Sequence, residues 1–160
     1  MQAIRNQGKA ADSAPVEARR TGTKQSGGLS PSDLSRLHVL RGVAPESVWG
    51  LLEHCPVRTL RSGETLITKG ESNQTMYMIL QGRLQVHIDS EGRGPEVHLD
   101  SGQTACELSV IDNRPVSATV IATGPTRLLA VNETTFWRLV AASHEFAANL
   151  LVLMARRMRS

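Results

Sequence analysis

Glu107, Ser117 and Thr119 fall in the stretch SGQTACELSVIDNRPVSATV, Ser101 to Val120, with the spacing of polar points around a pocket for a small anion. A turn at Gly102 leads into a short helix start at Glu107, and a loop through Pro115 leads into a β-like run. Helix starts carry unpaired backbone N–H groups and favour negative charge. A phosphate also calls for a cation, because charge-assisted hydrogen bonds hold its oxygens more strongly than neutral donors do. That position is apolar here, with Val116 between Pro115 and Ser117. Arg114 is the nearest cation, two residues away, and Arg157 in the C-terminal MARRMRS is a remote one. The stretch therefore has the shape of an anion site without its countercharge.

No other constellation organises chemistry. His38, His54, His87, His98 and His144 are scattered without metal-ligand spacing. His87 and His98 are expected on the polar faces of two strands joined by a hairpin, as cross-strand neighbours. Cys55 and Cys106 form neither a Cys-x-x-Cys pair nor a disulfide framework, so a reducing cytoplasm is the expected home. No nucleophile, base and orienting group come together, so an enzyme is not expected, and no cofactor motif is present. The 18 Lys and Arg against 15 Asp and Glu are mildly basic, mostly at the ends, which is a weak argument for nucleic acid. No apolar run nears the roughly 20 residues of a bilayer span, and no secretory leader is expected.

The elements that must position these residues follow from the patterning. Residues 1–28 are short of large apolar side chains and rich in Gly, Ala, Ser and charge, the composition of a disordered tail. Residues 29–55 predict two short helices. Ser30 caps the first, with Pro31 at its first position and Leu34, Leu37 and Leu40 inside; Pro45 starts the second, which carries Val48, Leu51 and Leu52. Over residues 57–131 the period becomes two. The runs VRTLR, ETLITK, TMYMIL, RLQVHI, EVHL, SATVIA and TRLLAV are separated by Gly-containing turns. In RLQVHI, Leu84, Val86 and Ile88 share one face, and Arg83, Gln85 and His87 the other. Helical period returns over 132–160, with Asn132 capping one helix and Ser143 another that carries Phe146, Leu150, Leu153, Met154 and Met158.

Taken together, RSGETLITKGE, MYMILQGRLQVH and SGQTACELSVIDNRPVSATV, between short helices and a long one, resemble the cyclic nucleotide-binding domain of bacterial receptor proteins, kinase regulatory subunits and channels. The resemblance covers about Leu34 to Arg159. It implies a mainly β fold with flanking α: an eight-stranded antiparallel jelly roll holding a phosphate cassette, with the long C-terminal helix as its output. The cassette positions read Cys106, Glu107, Leu108 and Ser109, then Val116, Ser117 and Ala118. In the family a glycine stands at the first of these and an arginine at the position of Val116. Glu107 matches the acceptor of a ribose hydroxyl, and Val86 and Leu99 match the apolar end of the pocket. Arg157, on the helix that lies across the pocket mouth, is the candidate partner of Glu107.

Two function classes follow. In one, the domain is a regulatory sensor of a cyclic nucleotide or related small anion, signalling through its C-terminal helix, with cyclic mononucleotide affinity lowered by Val116. In the other, it is a ligand-independent member that acts as a dimerisation or protein-interaction module. In both, the apolar stripe from Phe146 to Met158 is expected to support a homodimer. No helix-turn-helix follows the long helix, so direct nucleic-acid binding is not expected and the output domain or partner is expected outside this chain.

Overall fold

The computed structural model describes residues 28–88 and 94–159. Residues 1–27, read above as tail, residues 89–93 and residue 160 lie outside the described residues.

The N-terminal segment contains α1 (Pro31–Leu34), a 3-10 turn (His38–Leu40) and α2 (Pro45–Leu52). Proline starts both α-helices, as expected. At the first, Ser30 N–H donates to Asp33 Oδ2 at 2.9 Å. The first expected helix is thus broken: Leu34 lies in α1, while Leu37 precedes the 3-10 turn that contains Leu40. The three leucines are nevertheless all buried, so spacing located the apolar face better than the helix type.

Eight strands follow: β1 (Val57–Leu60), β2 (Thr65–Ile67), β3 (Thr75–Gln81), β4 (Arg83–His87), β5 (Glu96–Asp100), β6 (Thr104–Ala105), β7 (Thr119–Ala122) and β8 (Thr126–Asn132). They form two four-stranded sheets, β1-β8-β3-β6 and β2-β7-β4-β5, with every pairing antiparallel. This is the expected jelly roll. β6 has only two residues, paired to Tyr77 and Met78, too few to show an alternation. The cassette helix α3 (Glu107–Asp112) leads on to β7, and α4 (Glu133–Ala142) and α5 (His144–Arg159) close the chain.

Both faces of the first sheet are covered, which explains why TMYMIL carries no polar alternation. Met76, Met78 and Leu80 of β3 pack outward on the helices with Phe136, Leu139, Phe146 and Leu150. Tyr77 and Ile79 turn into the barrel with Leu84, Leu99, Val116 and Leu128. β8 divides in the same way: Leu129 and Val131 go to the helices, Leu128 and Ala130 to the barrel. At about 25 cal/mol per Å2 of apolar surface, two such cores are the main stabilising term for a domain of this size.

Two sequence expectations are refined by the β4–β5 register. Ile88 lies beyond β4 and is half exposed rather than continuing the buried face of Leu84. His87 pairs with Glu96 and His98 with Gln85, so the two histidines are cross-strand neighbours on the diagonal rather than directly opposed. Both depend on register, which the hairpin sets and which alternation alone does not reveal.

Gly82 illustrates why the turns need glycine. Its φ is +99°, and a Cβ there would stand 2.5 Å from Thr126 Oγ1 and 2.6 Å from the Pro125 carbonyl oxygen. Ordered caps then place the last two helices. Thr135 N–H donates to Asn132 Oδ1 at 2.8 Å, and Phe146 N–H to Ser143 Oγ at 3.1 Å, as the sequence predicts. Asn149 pins the middle of α5, donating from Nδ2 to the carbonyls of Val39 and Arg41, each at 2.9 Å. Among the described residues no single helix is long and apolar enough to cross a membrane.

Candidate functional site

The cassette begins where β6 turns into α3 at Cys106, which has a left-handed φ of +68°. Only glycine takes that conformation without cost, so cysteine here stores backbone strain on the order of 1 kcal/mol. Burial pushes the Cys106 thiol up to about 12, so it is a neutral packing group at ordinary pH.

Glu107 follows with its side chain only 1% exposed. Its Oε2 accepts from Thr104 Oγ1 at 3.1 Å, and its Oε1 is ion-paired with Arg157 Nη1 of α5. Arg157 Nη2 also donates to the Thr104 carbonyl at 2.7 Å. Burial lowers the pKa of Arg157, with the neighbouring Cys106 acting in the opposite sense, yet a guanidinium keeps its proton in proteins. The carboxylate at the heart of the cassette is thus neutralised by the last helix, in the pairing that the sequence suggested.

The remaining cassette residues scatter. Ser109 Oγ donates to the Cys106 carbonyl at 3.0 Å and lies 2.8 Å from Asn73 Nδ2, which donates to it, so Ser109 braces the helix start from inside. Leu108 is 49% exposed, so its side chain does not line the barrel as a ligand contact would. Val116 is only 8% exposed and packs in the barrel core. Its backbone is held on both sides, with Gly70 N–H donating to its carbonyl at 2.9 Å and its own N–H to the Glu71 carbonyl at 3.0 Å. Ser117 is exposed and Ala118 half-buried. Thr119 Oγ1 accepts from Lys69 N–H at 3.0 Å, which ties down a loop. Leu99 is buried in the barrel core and Val86 packs partly buried against it.

Arg114 does not turn in to replace the missing cation. It is exposed and, with Asn113 and Pro115, lines a separate cavity of about 600 Å3 at the barrel's end. Glu71, Asn73, Tyr77 and Glu133 also line it, whereas Glu107, Val116 and Arg157 do not. The cassette and this cavity are therefore distinct places in the molecule.

Sequence reasoning missed several buried polar groups, among them Thr104 beside Glu107, Asn73 and Arg58. Asn73 Nδ2 donates to the Thr75 carbonyl at 2.7 Å as well as to Ser109. Arg58 of β1 is 4% exposed and donates from Nη1 to Tyr77 Oη at 3.0 Å. The signal for Arg58 was its phase: it stands two residues from Leu60, on the face that turns into the barrel.

The profile of the cyclic nucleotide-binding domain matches residues 57–143, more than half of the chain. The chain belongs to the cyclic nucleotide-binding domain family. The cyclic AMP receptor protein of Thermus thermophilus is 28% identical over 124 residues, covering 76% of this chain and 57% of the receptor. The crystal structure of the Thermus thermophilus catabolite activator protein superposes with a TM-score of 0.66 at 28% identity, over 81% of this chain and 59% of that one. A cyclic nucleotide-binding domain from Methylobacillus flagellatus gives a TM-score of 0.70 at 21% identity, with 82% of each chain covered, and so shares the fold. This cyclic nucleotide-binding domain spans little more than half the length of the Thermus proteins.

Proposed function

We propose that this domain is a regulatory sensor in which α5 reports whether the cassette is occupied, with Arg157 as the latch of the unoccupied state. The carrying observation is the buried carboxylate of Glu107 in an ion pair with α5's own arginine. A ligand whose hydroxyl donates to Glu107 competes with Arg157 for the same acceptor. Its binding frees the last turn of α5, while Asn149 keeps the middle of the helix on the N-terminal 3-10 segment. A ligand shifts such an equilibrium only by its difference in affinity for the two states, and the shared acceptor supplies that difference. The ligand class is a cyclic mononucleotide or related small anion. The chemistry is regulatory rather than catalytic, and the signal passes to an output domain or partner protein outside this chain, in a cytoplasmic setting that leaves the two thiols unpaired.

Val116 sets the affinity. A phosphodiester keeps its charge at physiological pH, and seating it at a cassette where Val116 stands in place of a cation leaves its desolvation only partly compensated. Two charged hydrogen bonds lost at about 1.5–3 kcal/mol each correspond to a hundredfold or more in affinity. Calorimetry with cyclic AMP and cyclic GMP tests the reading. The wild type should bind feebly, Val116→Arg should gain about a hundredfold, and Glu107→Ala in that background should lose the gain. The burial of Val116 in the barrel core supports a second reading, a ligand-independent interaction module. That reading replaces the first if neither the wild type nor Val116→Arg gives binding heat.

α5 also presents Leu151, Val152 and Met158 to solvent, which supports a homodimer through this helix. The face differs from the stripe expected from sequence. Phe146 and Leu150 of that stripe are buried in their own protomer's core, and Leu153 packs against it.

A further inference from the structure

Arg58 is a buried cation that no carboxylate among the described residues neutralises. It lies on β1 in phase with Leu60, which packs in the barrel core. Its reach to Tyr77 crosses β8, where Arg58 pairs in register with Leu128 and Tyr77 with the small Ala130. The guanidinium carbon is 5.5 Å from the centre of the Tyr77 ring, and Nη1 donates to the Tyr77 hydroxyl at 3.0 Å. Nε and Nη2 are buried without a hydrogen-bond partner. Among the described residues no carboxylate forms an ion pair with Arg58.

A guanidinium does not lose its charge in proteins, and an uncompensated charge in a core is strongly unfavourable. The two open donors are also not a random pair. Nε–H and one Nη2–H point in parallel from one edge of the guanidinium, the edge that matches the two oxygens of a carboxylate or phosphate. The third nitrogen, on the far side, is the one engaged with Tyr77. We infer that Arg58 is an internal anion-holding residue of the barrel, at a place apart from the cassette position of Val116: its Nε/Nη2 edge takes a phosphate or carboxylate group of a small ligand. This rests on the reading of the barrel as a small-ligand site and adds the residue that binds the anionic group.

The entry we assign is the cavity at the barrel's end, which Tyr77, the hydrogen-bond partner of Arg58, lines beside Leu66 and Ile67; Arg58 itself is not part of the lining, so entry requires the Tyr77 side chain to move. The same cavity is lined by Arg114 but also by Glu71 and Glu133. A multiply charged anion meets two carboxylates on the way in, so the geometry favours a ligand with one negative charge on an otherwise neutral body. Cyclic phosphodiesters and monocarboxylates meet that description.

The test is thermal unfolding of the full chain at constant ionic strength with inorganic phosphate, acetate, cyclic AMP or uncharged adenosine as probe. At least one of the three anions should raise the wild-type Tm saturably, and adenosine should not. Arg58→Met removes the charge while keeping an apolar stem, so it should abolish the anion response. Arg58→Lys keeps the charge and loses the two-donor edge, so it should weaken the response by about tenfold or more and covers the case in which the methionine variant fails to fold. An anion response equal to wild type in either variant, or a wild type that responds to none of the three anions, overturns the inference. The sensor reading fails separately: absence of cyclic nucleotide binding by both the wild type and Val116→Arg, alongside an Arg58-dependent phosphate or acetate response, removes the first reading and leaves this one standing.

Discussion

Replacing Arg157 by methionine breaks the latch while keeping most of the stem's packing, and the structure sets the size of the effect. Glu107, 1% exposed, would keep only the 3.1 Å hydrogen bond from Thr104 Oγ1. Removing one partner of a fully buried pair costs about 3–5 kcal/mol, most of it the charge left behind. Two features reduce that figure here. The Arg157 side chain is 28% exposed, so water already screens part of the attraction. The last turn of α5 can also lift and let water reach Glu107, which caps the cost at the local stability of that turn. The expected loss is about 2 kcal/mol in urea unfolding. Glu107→Gln removes the orphaned charge, so the double variant should recover part of the loss, with a coupling energy of about 1–2 kcal/mol. Hydrogen exchange should accelerate in the last turn of α5 and stay unchanged around Asn149 and Leu150. Single-variant effects that add to within about 0.5 kcal/mol would refute the latch.

Further outcomes follow from the same contacts. Leu151, 71% exposed, and Leu150, 5% exposed, are adjacent in sequence but opposite in role. Leu151→Asp should abolish a concentration-dependent dimer in sedimentation without changing stability, whereas Leu150→Asp should destabilise the fold by about 3–5 kcal/mol, read by denaturant midpoint. Burial pushes the Cys55 and Cys106 thiols up to about 11 and about 12, while unfolded thiols ionise near about 8.5. The unfolded chain then binds fewer protons than the folded one above that pH, so stability falls as pH rises. Between about pH 8 and 9.5 the loss is about 1 kcal/mol per cysteine, and it should flatten when both are replaced by serine.

The comparison of sequence with structure is sharpest at residues that are alike in type. Ser30, Asn132 and Ser143 were legible as caps, and Gly82 as a turn, because capping and positive φ depend on a few neighbouring atoms. The pairing of Glu107 with Arg157 was legible only through the family resemblance, which placed the last helix across the cassette. Phe146 and Leu150 were read as an interface for the opposite reason: helical spacing identifies an apolar stripe but not which neighbour covers it, and here the barrel's own helices do.

By itself, then, the sequence determined seven of the eight strands, the starts of the helices and the glycine turns, since each is carried by residues close together in the chain. The two-residue β6 and the break between α1 and the 3-10 turn were not legible. The tertiary structure alone decided which face of each strand became the inside of the barrel. That choice buries Arg58 beside Tyr77, 19 residues away in sequence, with two of its donors unmatched. It also takes Val116 into the core and leaves Arg114 outside. The physical reason is that burial and pairing of charge depend on how two sheets close over one another, and alternation within a strand gives the phase of its side chains but not the identity of what they meet.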